Sequence, residues 1–406
     1  MTMTPKQNER LRALTARLVQ ATEARSDEVF GINAPLRVCP LGAHVDHQGG
    51  AVTGLTIDRS VMMAAVPLPE PVFRVESLDF QGQVTVDLTA PQTPPSREWG
   101  DYARAAADAL GARRHLARGL YAVIGGDLAG AGLSSSAAVL ICYLFGLARA
   151  NRFDLPRRDV AVLVQQAENS YIGVASGLLD QSIILFADKG HLTHVDVSDL
   201  SVQRVTAKEG APEVGVVVVF SGISRALTGS GFNTRVEECH EAARILLDRG
   251  GRTAGRRPLL SEVEPELFDR FAAELPESLR RRAAHFVGER RRVIDGVEAW
   301  RGGDLTRFGE LMSASGESSI RNYECGTSEL VTLYELLRTT PGVYGARFSG
   351  AGFGGSCVAL ADPDAGEEIA NAVLRGYAAA HPDAAANASC HLCAPAGPAR
   401  FVDGDD

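Results

Sequence analysis

The stretch 126-GDLAGAGLSSSAAVLICYLFGLA-148 contains the most specific pattern in this chain of 406 residues. Its glycines Gly130 and Gly132 permit positive φ angles and a close approach of the backbone to a ligand. Three serines follow, Ser134 to Ser136, and then an unbroken apolar helix begins. A glycine turn at a helix N-terminus presents unpaired N–H groups and the positive end of the helix dipole to an anion. Because an N-cap needs one hydroxyl and not three, the stretch predicts a phosphate-binding loop.

The composition indicates a globular protein with a full hydrophobic core. Hydrophobic residues make up 45% of the chain and charged residues 22%, which is typical of soluble domains. No run of about 18 uncharged apolar residues occurs, so we expect no membrane-spanning helix. The net charge of −9 disfavours binding to a nucleic-acid backbone. Seven scattered cysteines, an odd number, fit a reducing compartment, and we therefore expect a cytoplasmic location.

The order of the apolar runs predicts an α+β protein with two halves that meet near residue 205. Strands and helices mix in the first half, whereas helices rich in Arg and Glu fill much of the second half. The predicted strands are 51–58, 61–67, 73–80, 83–88, 214–222, 344–350 and 356–362, and the predicted helices of the first half are 99–110, 136–150 and 160–173. We assign residues 1–205 to one domain and residues 206–406 to the other.

Two basic segments, 250–257 and 278–293, admit two interpretations. Their arginines would suit a patch that binds anions. In the second segment, however, Leu279 and Phe286 belong to an apolar helix face, and Glu289 lies among the arginines. We therefore predict that the charged residues of these segments form solvent-exposed faces.

A second motif, 167-AENSYIGVASGLLDQS-182, places two acids on a largely apolar stretch. Asp180 follows a glycine and two leucines, so we expect its carboxylate to be partly desolvated. A lone acid there would also suit a helix cap. An arginine close to Asp180 would hold the carboxylate ionised and ready to accept a proton. We predict that this arginine is Arg37; the other acid of the motif is Glu168.

A third motif, 345-GARFSGAGFGGSCVAL-360, is a glycine-rich loop between two apolar strands. One glycine between strands indicates a turn. Four glycines in six residues instead indicate backbone that lies against a ligand. These glycines are Gly350, Gly352, Gly354 and Gly355.

The three motifs, together with Arg37 and the loop 42-GAHVDHQGG-50, occur in an order that resembles the GHMP superfamily of small-molecule kinases, and within it the galactokinase branch. The resemblance runs from about residue 34 to residue 360. It implies a two-domain α+β fold with the active site between the domains and ATP held there. The sugar loop, which we define as residues 40–50, and the serine-rich loop then belong to the N-terminal domain. The late glycine loop belongs to the C-terminal domain. The implied reaction transfers the γ-phosphate of ATP to the anomeric hydroxyl of a sugar.

The resemblance also implies roles for individual residues. Asp180 looks like the general base that takes the proton of the C1 hydroxyl, and Arg37 like the group that orients Asp180 and stabilises charge on the transferring phosphoryl group. The implied ligands of Mg²⁺ are Ser136 and Glu168, those of the ATP phosphates are Gly130, Gly132, Ser134, Ser135 and Ser136, and those of adenine are Trp99 and Tyr102. The implied sugar-side residues are Ala43, His44, Asp46, His47, Gly177 and Phe232.

Departures from the family pattern lie on the sugar side. Galactokinases read GEHTDYNGG where this chain reads GAHVDHQGG, so Ala43 replaces a glutamate that accepts a hydrogen bond from the sugar's 6-hydroxyl. His47 and Phe232 each replace a tyrosine, and Ser176 replaces a cysteine. The residues implied in phosphoryl transfer are all kept. The change is therefore concentrated around C6 of the sugar.

A glutamate that faces C6 would repel the carboxylate of a uronic acid. Two carboxylates about 4 Å apart repel by roughly 4 kcal/mol at an effective dielectric constant near 20, close to a thousandfold in affinity. Ala43 removes that repulsion, and His47, if protonated, would supply a donor; Arg225 and Arg235 are further basic candidates. The pattern resembles the galacturonokinases of plants, so we expect D-galacturonic acid as the substrate. The alternatives are a galactokinase, a kinase for another C6-altered sugar, and a sugar sensor without turnover.

Overall fold

The computed structural model describes residues 3–128, 132–224 and 231–402. The strands of the described residues are β1 (Phe30–Val38), β2 (Val52–Leu68), β3 (Val72–Ser77), β4 (Gln83–Asp87), β5 (Gly119–Gly126), β6 (Leu192–Asp196), β7 (Ser201–Val205), β8 (Gly215–Phe220), β9 (Val343–Phe348), β10 (Ser356–Ala361), β11 (Ser389–Cys393) and β12 (Arg400–Val402). The larger sheet has the order β12-β1-β2-β5-β3-β4, with β6 beside β2 and β7 beside β6. The smaller sheet has the order β11-β8-β10-β9 and is antiparallel throughout.

The helices of the described residues cover these sheets. They are α1 (Pro5–Thr22), α2 (Asp101–Gly111), α3 (Ser135–Ala150), α4 (Arg157–Gln166), α5 (Leu179–Phe186), α6 (Phe232–Arg249), α7 (Pro265–Phe271), α8 (Glu277–Arg301), α9 (Leu305–Arg321), α10 (Ser328–Thr339), α11 (Gly366–Ala380) and α12 (Pro382–Ala385). A π-helical turn, Ala167–Ile172, extends α4, and short 3₁₀ turns lie at Ser26–Glu28, Asp46–Gln48, Leu260–Glu262, Ala272–Glu274 and Pro363–Ala365. None of these helices is long and apolar enough to cross a membrane.

Helix α3 packs against β1, β2 and α2, and its N-terminus therefore has a fixed position. A helix that is apolar on every side must be buried on every side, and α3 follows this rule, because nearly all of its residues from Ala137 to Ala150 are buried. Helices α9 and α10 pack on β9 in the second half, and α8 packs between α6 and α9. The two sheets thus each have their own helical layer.

The sequence-based prediction of an α+β fold is confirmed. Strand β2 runs without a break through the predicted strands 51–58 and 61–67. Strand β1 was not predicted, because it is buried on both faces and lacks the alternation of a half-exposed strand. The boundary near residue 205 stays a prediction, and the last strand, β12, crosses it to pair with β1.

The prediction of a solvent-exposed charged face on α8 is wrong for part of that helix. Arg290 and Arg291 are exposed, as expected. Arg282 is only 1% exposed and Glu289 is fully buried. Both side chains face the protein interior, where partners of opposite charge balance them. The partners of Arg282 are Glu238 and Glu324. The basic segment 250–257 has exposed arginines, in agreement with the prediction.

Candidate active site

A cleft of about 880 Å³ lies between the two halves of the molecule. The sugar loop lines it together with the N-terminal turn of α5. The serine-rich turn at the start of α3 and the glycine loop 350–355 line it as well. Aromatic residues, among them Trp99 and Tyr102, also belong to the lining. The three sequence motifs therefore meet in one place.

Arg37 and Asp180 form an ion pair in this cleft. Strand β1 changes its register against β2 between Pro35 and Arg37, which re-aims the chain at this point. The Arg37 side chain donates from Nε and Nη2 to the same oxygen of Asp180, at 2.8 and 2.7 Å. Its Nη1 donates to the hydroxyl of Ser349 at 3.1 Å. Asp180 is therefore held at the cleft surface, where its side chain remains 30% exposed.

The sugar loop presents Ala43, His44 and Asp46 to the cleft. Ala43 is 5% exposed, and the ring of His44 stacks on Tyr323 with centroids 4.3 Å apart. Asp46 accepts a hydrogen bond from the backbone N–H of Leu179 at 3.0 Å. Burial raises the pKa of Asp46 to about 6, and the nearby Asp180 adds to this effect. The loop thus offers a methyl group, a neutral ring and a carboxyl group side by side.

His47 was considered from the sequence as a donor only for the case that its ring is protonated. Burial, together with His240 and His285, lowers the pKa of His47 to about 3, so its ring is neutral at neutral pH. Its Nε2 lies 3.1 Å from the Tyr323 hydroxyl, and its ring packs edge-on against Phe232. Phe232 lines the cleft, whereas His47 is not among the described cleft-lining residues. Direct contact of His47 with a sugar stays a prediction.

The other two basic candidates have different outcomes. Arg235 lies outside the described lining of the cleft and pairs with Glu238 at 3.2 Å. Its Nη2 donates to the carbonyl of Glu324. Arg225 lies outside the described residues, as does Gly130 of the serine-rich loop.

Gly177 lies directly against the carboxylate of Asp46. A Cβ added at Gly177 would lie 2.2 Å from Oδ2 of Asp46 and 2.6 Å from the backbone nitrogen of His47. We therefore expect Gly177→Ala to displace Asp46 and to lower kcat/KM for the sugar about 100-fold. Steady-state kinetics test this, with Gly111→Ala as the control, since a Cβ at Gly111 would meet nothing within 4 Å. Equal activities of the two variants would contradict the expected role of the Gly177–Asp46 contact.

The serine-rich turn has the geometry of an anion site. Ser134 adopts a left-handed conformation with φ 64°, and α3 begins at the next residue, Ser135. Among the residues that the structure describes, the buried hydroxyl of Ser134 has no hydrogen-bond partner, which is costly unless a ligand supplies one. The Ser136 hydroxyl donates to Glu168 at 3.1 Å. This turn therefore matches the requirements of a bound phosphate.

Glu168 is a buried acid beside that turn. It sits on the π-helical turn after α4 and accepts hydrogen bonds from Ser136 and, at 2.6 Å, from Ser176. Burial raises its pKa to about 7, and the charge of Asp180 contributes. Hydroxyl and carboxylate oxygens are ligands that Mg²⁺ accepts, usually one or two from protein with the rest from phosphates and water. Within the described ranges, no group of three or more His, Cys, Asp or Glu could hold a metal without such help.

The late glycine loop meets the serine-rich loop backbone to backbone. A Cβ added at Gly350 would lie 2.8 Å from the carbonyl oxygen of Gly132. Gly350, Gly352, Gly354 and Gly355 all have positive φ angles, of 70°, 79°, 140° and 92°. Glycine is required here for conformation as well as for space.

Part of the cleft lining is aromatic. Trp99 stacks on Phe80 with ring centroids 6.3 Å apart and donates from Nε1 to the carbonyl of Gln81. Tyr102 also lines the cleft, and burial raises its pKa to about 12. Aromatic walls suit a flat aromatic ring system such as adenine.

Comparison with known proteins gives the same family from sequence and from structure. Models of the GHMP kinase N-terminal and C-terminal domains match residues 101–188 and 294–379. A galacturonokinase of Arabidopsis thaliana is 40% identical over 397 residues, 93% of each chain. A galactokinase of Chloroflexus aggregans is 35% identical over 346 residues, 85% of this chain and 87% of the relative. The chain belongs to the GHMP kinases.

A solved structure supports this assignment over almost the full length. Lactococcus lactis galactokinase, complexed with galactose, matches this GHMP kinase with a TM-score of 0.88 and 30% identity, over 96% of this chain and 99% of that one. Mevalonate kinase of Methanococcus jannaschii shares the fold, with a TM-score of 0.62 at 16% identity, over 90% of this chain and 98% of that one. The prediction of an ATP-dependent sugar kinase is confirmed at this level.

Sequence reasoning gave no site role to four residues that lie near the sugar loop or the Arg37–Asp180 pair of this GHMP kinase. They are Ser349, Tyr323, His285 and Glu289. Ser349 could have been found, since it directly precedes the late glycine loop. The other three lie far from the sugar loop in sequence, and no local pattern connects them to it.

Proposed function

We propose that this GHMP kinase transfers the γ-phosphate of ATP to the anomeric hydroxyl of D-galacturonic acid and gives D-galacturonate 1-phosphate. The observation that carries this proposal is the identity and position of residue 43. Ala43 lines the cleft on the loop that also presents His44 and Asp46. A methyl group at this wall leaves room for a carboxylate at C6 and does not repel it. The similarity to a galacturonokinase at 40% identity supports the same substrate.

The proposed chemistry depends on Asp180 and Arg37. Asp180 accepts the proton of the C1 hydroxyl, and the ion pair with Arg37 fixes the orientation of this carboxylate. Arg37 also places positive charge beside the phosphoryl group in transit. The N-terminus of α3 and the glycine loops hold the phosphates of ATP. Catalysis then consists mainly of positioning and electrostatic stabilisation.

Magnesium is part of the proposal. Ser136 and Glu168 would hold the ion, because the Ser136 hydroxyl and the Glu168 carboxylate lie 3.1 Å apart at the serine-rich turn. When bound, Mg²⁺ neutralises charge on the β- and γ-phosphates. The high pKa of Glu168, which burial causes, indicates a carboxylate that favours a cation next to it.

A cytoplasmic location is also proposed. All seven cysteines are free thiols, and six of them are buried. Free buried thiols in this number fit a reducing compartment.

Product analysis tests the proposed function. Purified protein incubated with ATP, magnesium and galacturonate should form a sugar phosphate whose phosphorus couples to the anomeric proton in NMR spectra. Parallel reactions with galactose and with 6-deoxygalactose test the alternative substrates. Turnover of galactose with no product from galacturonate would contradict the uronate assignment and favour a galactokinase.

A further inference from the structure

Helix α8 directs two buried polar side chains at the backbone of the sugar loop. Glu289 accepts a hydrogen bond from the backbone N–H of Gly42 at 2.8 Å. One turn earlier, Nε2 of His285 lies 3.0 Å from the carbonyl oxygen of Ala43 and donates to it. His285 is 1% exposed and Glu289 is fully buried. The same helix face therefore holds the two-residue segment Gly42–Ala43 at both ends, at the Gly42 N–H and at the Ala43 carbonyl.

The loop has little freedom to adjust if these contacts are lost on one side. Gly42 has φ 86°, and a Cβ added there would lie 2.6 Å from the carbonyl oxygen of Ala51. The next residue but one, His44, also has a positive φ, of 59°. A non-glycine residue in this conformation must be held by its surroundings. Here the stack of His44 on Tyr323 contributes to that restraint.

Two neighbouring arginines, Arg292 and Arg347, keep Glu289 charged. Burial opposes its ionised form, but the charges of Arg292 and Arg347 hold its pKa below the ordinary value. Arg292 donates to Glu289 at 2.6 Å, and the hydroxyl of Ser315 links Glu289 to Arg347, with distances of 2.9 and 2.6 Å. A charged acceptor gives the Gly42 N–H a stronger hydrogen bond than a neutral one would.

His285 is held in the tautomer that donates to the loop. Its Nδ1 lies 2.9 Å from the hydroxyl of Ser318, and burial lowers its pKa to about 4, so the ring is neutral at neutral pH. With the hydroxyl donating to Nδ1, the ring proton is on Nε2 and points to the carbonyl of Ala43. The contact is thus defined in direction as well as in distance.

We propose that His285 and Glu289 are positioning residues that fix the two-residue segment Gly42–Ala43 and thereby the wall of the sugar site at residue 43. The proposal rests on the proposed function insofar as it places the sugar against Ala43. It adds that this wall is shared between the halves of the molecule: one half supplies the loop and the other supplies α8. The side chains act through the loop and do not touch the reacting atoms.

Kinetics of His285→Ala, His285→Gln and Glu289→Gln test this proposal. In His285→Ala the Ala43 carbonyl loses its donor, and we expect KM for the sugar to rise about tenfold while KM for ATP stays the same. His285→Gln carries an N–H that can reach the same carbonyl, so it should recover most of the loss. Glu289→Gln keeps an oxygen for Gly42 but lacks the charge, so an intermediate rise is expected. Arg291→Ala is the matched control, since that side chain is 76% exposed on the same helix.

Hydrogen–deuterium exchange gives a readout that needs no substrate. His285→Ala should increase exchange in the peptide that contains Gly42 and Ala43 and leave peptides from β5 unchanged. The proposal is overturned if this exchange matches the wild type, or if KM for ATP rises as much as KM for the sugar. If wild-type protein uses galactose and not galacturonate, the proposed function fails, yet the same kinetic comparison with galactose still decides the role of His285.

Discussion

Replacement of Asp180 with asparagine is expected to lower kcat about a thousandfold while leaving the affinity for ATP largely unchanged. The amide has nearly the same shape as the carboxylate, and its oxygen still accepts a hydrogen bond from Arg37. The amide of asparagine does not accept the proton of the C1 hydroxyl at neutral pH. The loss therefore isolates proton transfer and charge from packing. Steady-state assays give kcat, and calorimetric titration with ATP gives the affinity.

Arg37→Lys is the useful companion variant for this experiment. Lysine keeps the positive charge but cannot contact Asp180 and Ser349 with the fixed fork that Arg37 uses. We expect a smaller loss of kcat than in Asp180→Asn. A kcat within tenfold of the wild type in Asp180→Asn would contradict a role as general base, and also an electrostatic role, since asparagine carries no charge.

Ala43→Glu is expected to lower kcat/KM for galacturonate by two to three decades. The new carboxylate would lie near C6 of the sugar, and the repulsion between two carboxylates about 4 Å apart is roughly 4 kcal/mol at an effective dielectric constant near 20. Galactose has a hydroxyl at C6 that can donate to a glutamate, so activity with galactose should survive or rise. The ratio of the two kcat/KM values is the quantity to measure.

Ala43→Gln separates charge from volume in this test. Glutamine has the size of glutamate and no charge, so it should reduce galacturonate turnover much less if repulsion is the cause. Equal losses in the two variants would show that the wall at residue 43 is limited by space. No loss in either would show that residue 43 does not face C6.

The sequence identified many residues of this site, but not how deeply their side chains are buried. The serine-rich turn, the glycine loop and the acids of residues 167–182 were found from local patterns, because glycine and serine spacing reports backbone conformation and helix ends. The predicted contact of Arg37 with Asp180 is present. No periodicity in the chain would have placed these two residues together, since strand β1 and helix α5 are distant in sequence.

Burial is what the sequence could not provide. His47 was considered as a donor for the case that its ring is protonated beside a carboxylate, but residues from several distant elements enclose it and keep it neutral. Glu289 was assigned to a solvent-exposed face because arginines surround it in sequence. Its actual partners include Arg347, on a strand that follows α8, α9 and α10. A charge that is balanced across elements cannot be recognised from one helix alone.

The central claim, that the substrate is a uronic acid, is tested most directly by competition between two sugars. Equal concentrations of galacturonate and galactose are incubated with wild-type protein, magnesium and limiting ATP, and the two sugar phosphates are quantified. Their initial ratio equals the ratio of the two kcat/KM values. We predict that galacturonate 1-phosphate is the main product. A product that is mainly galactose 1-phosphate would contradict the claim.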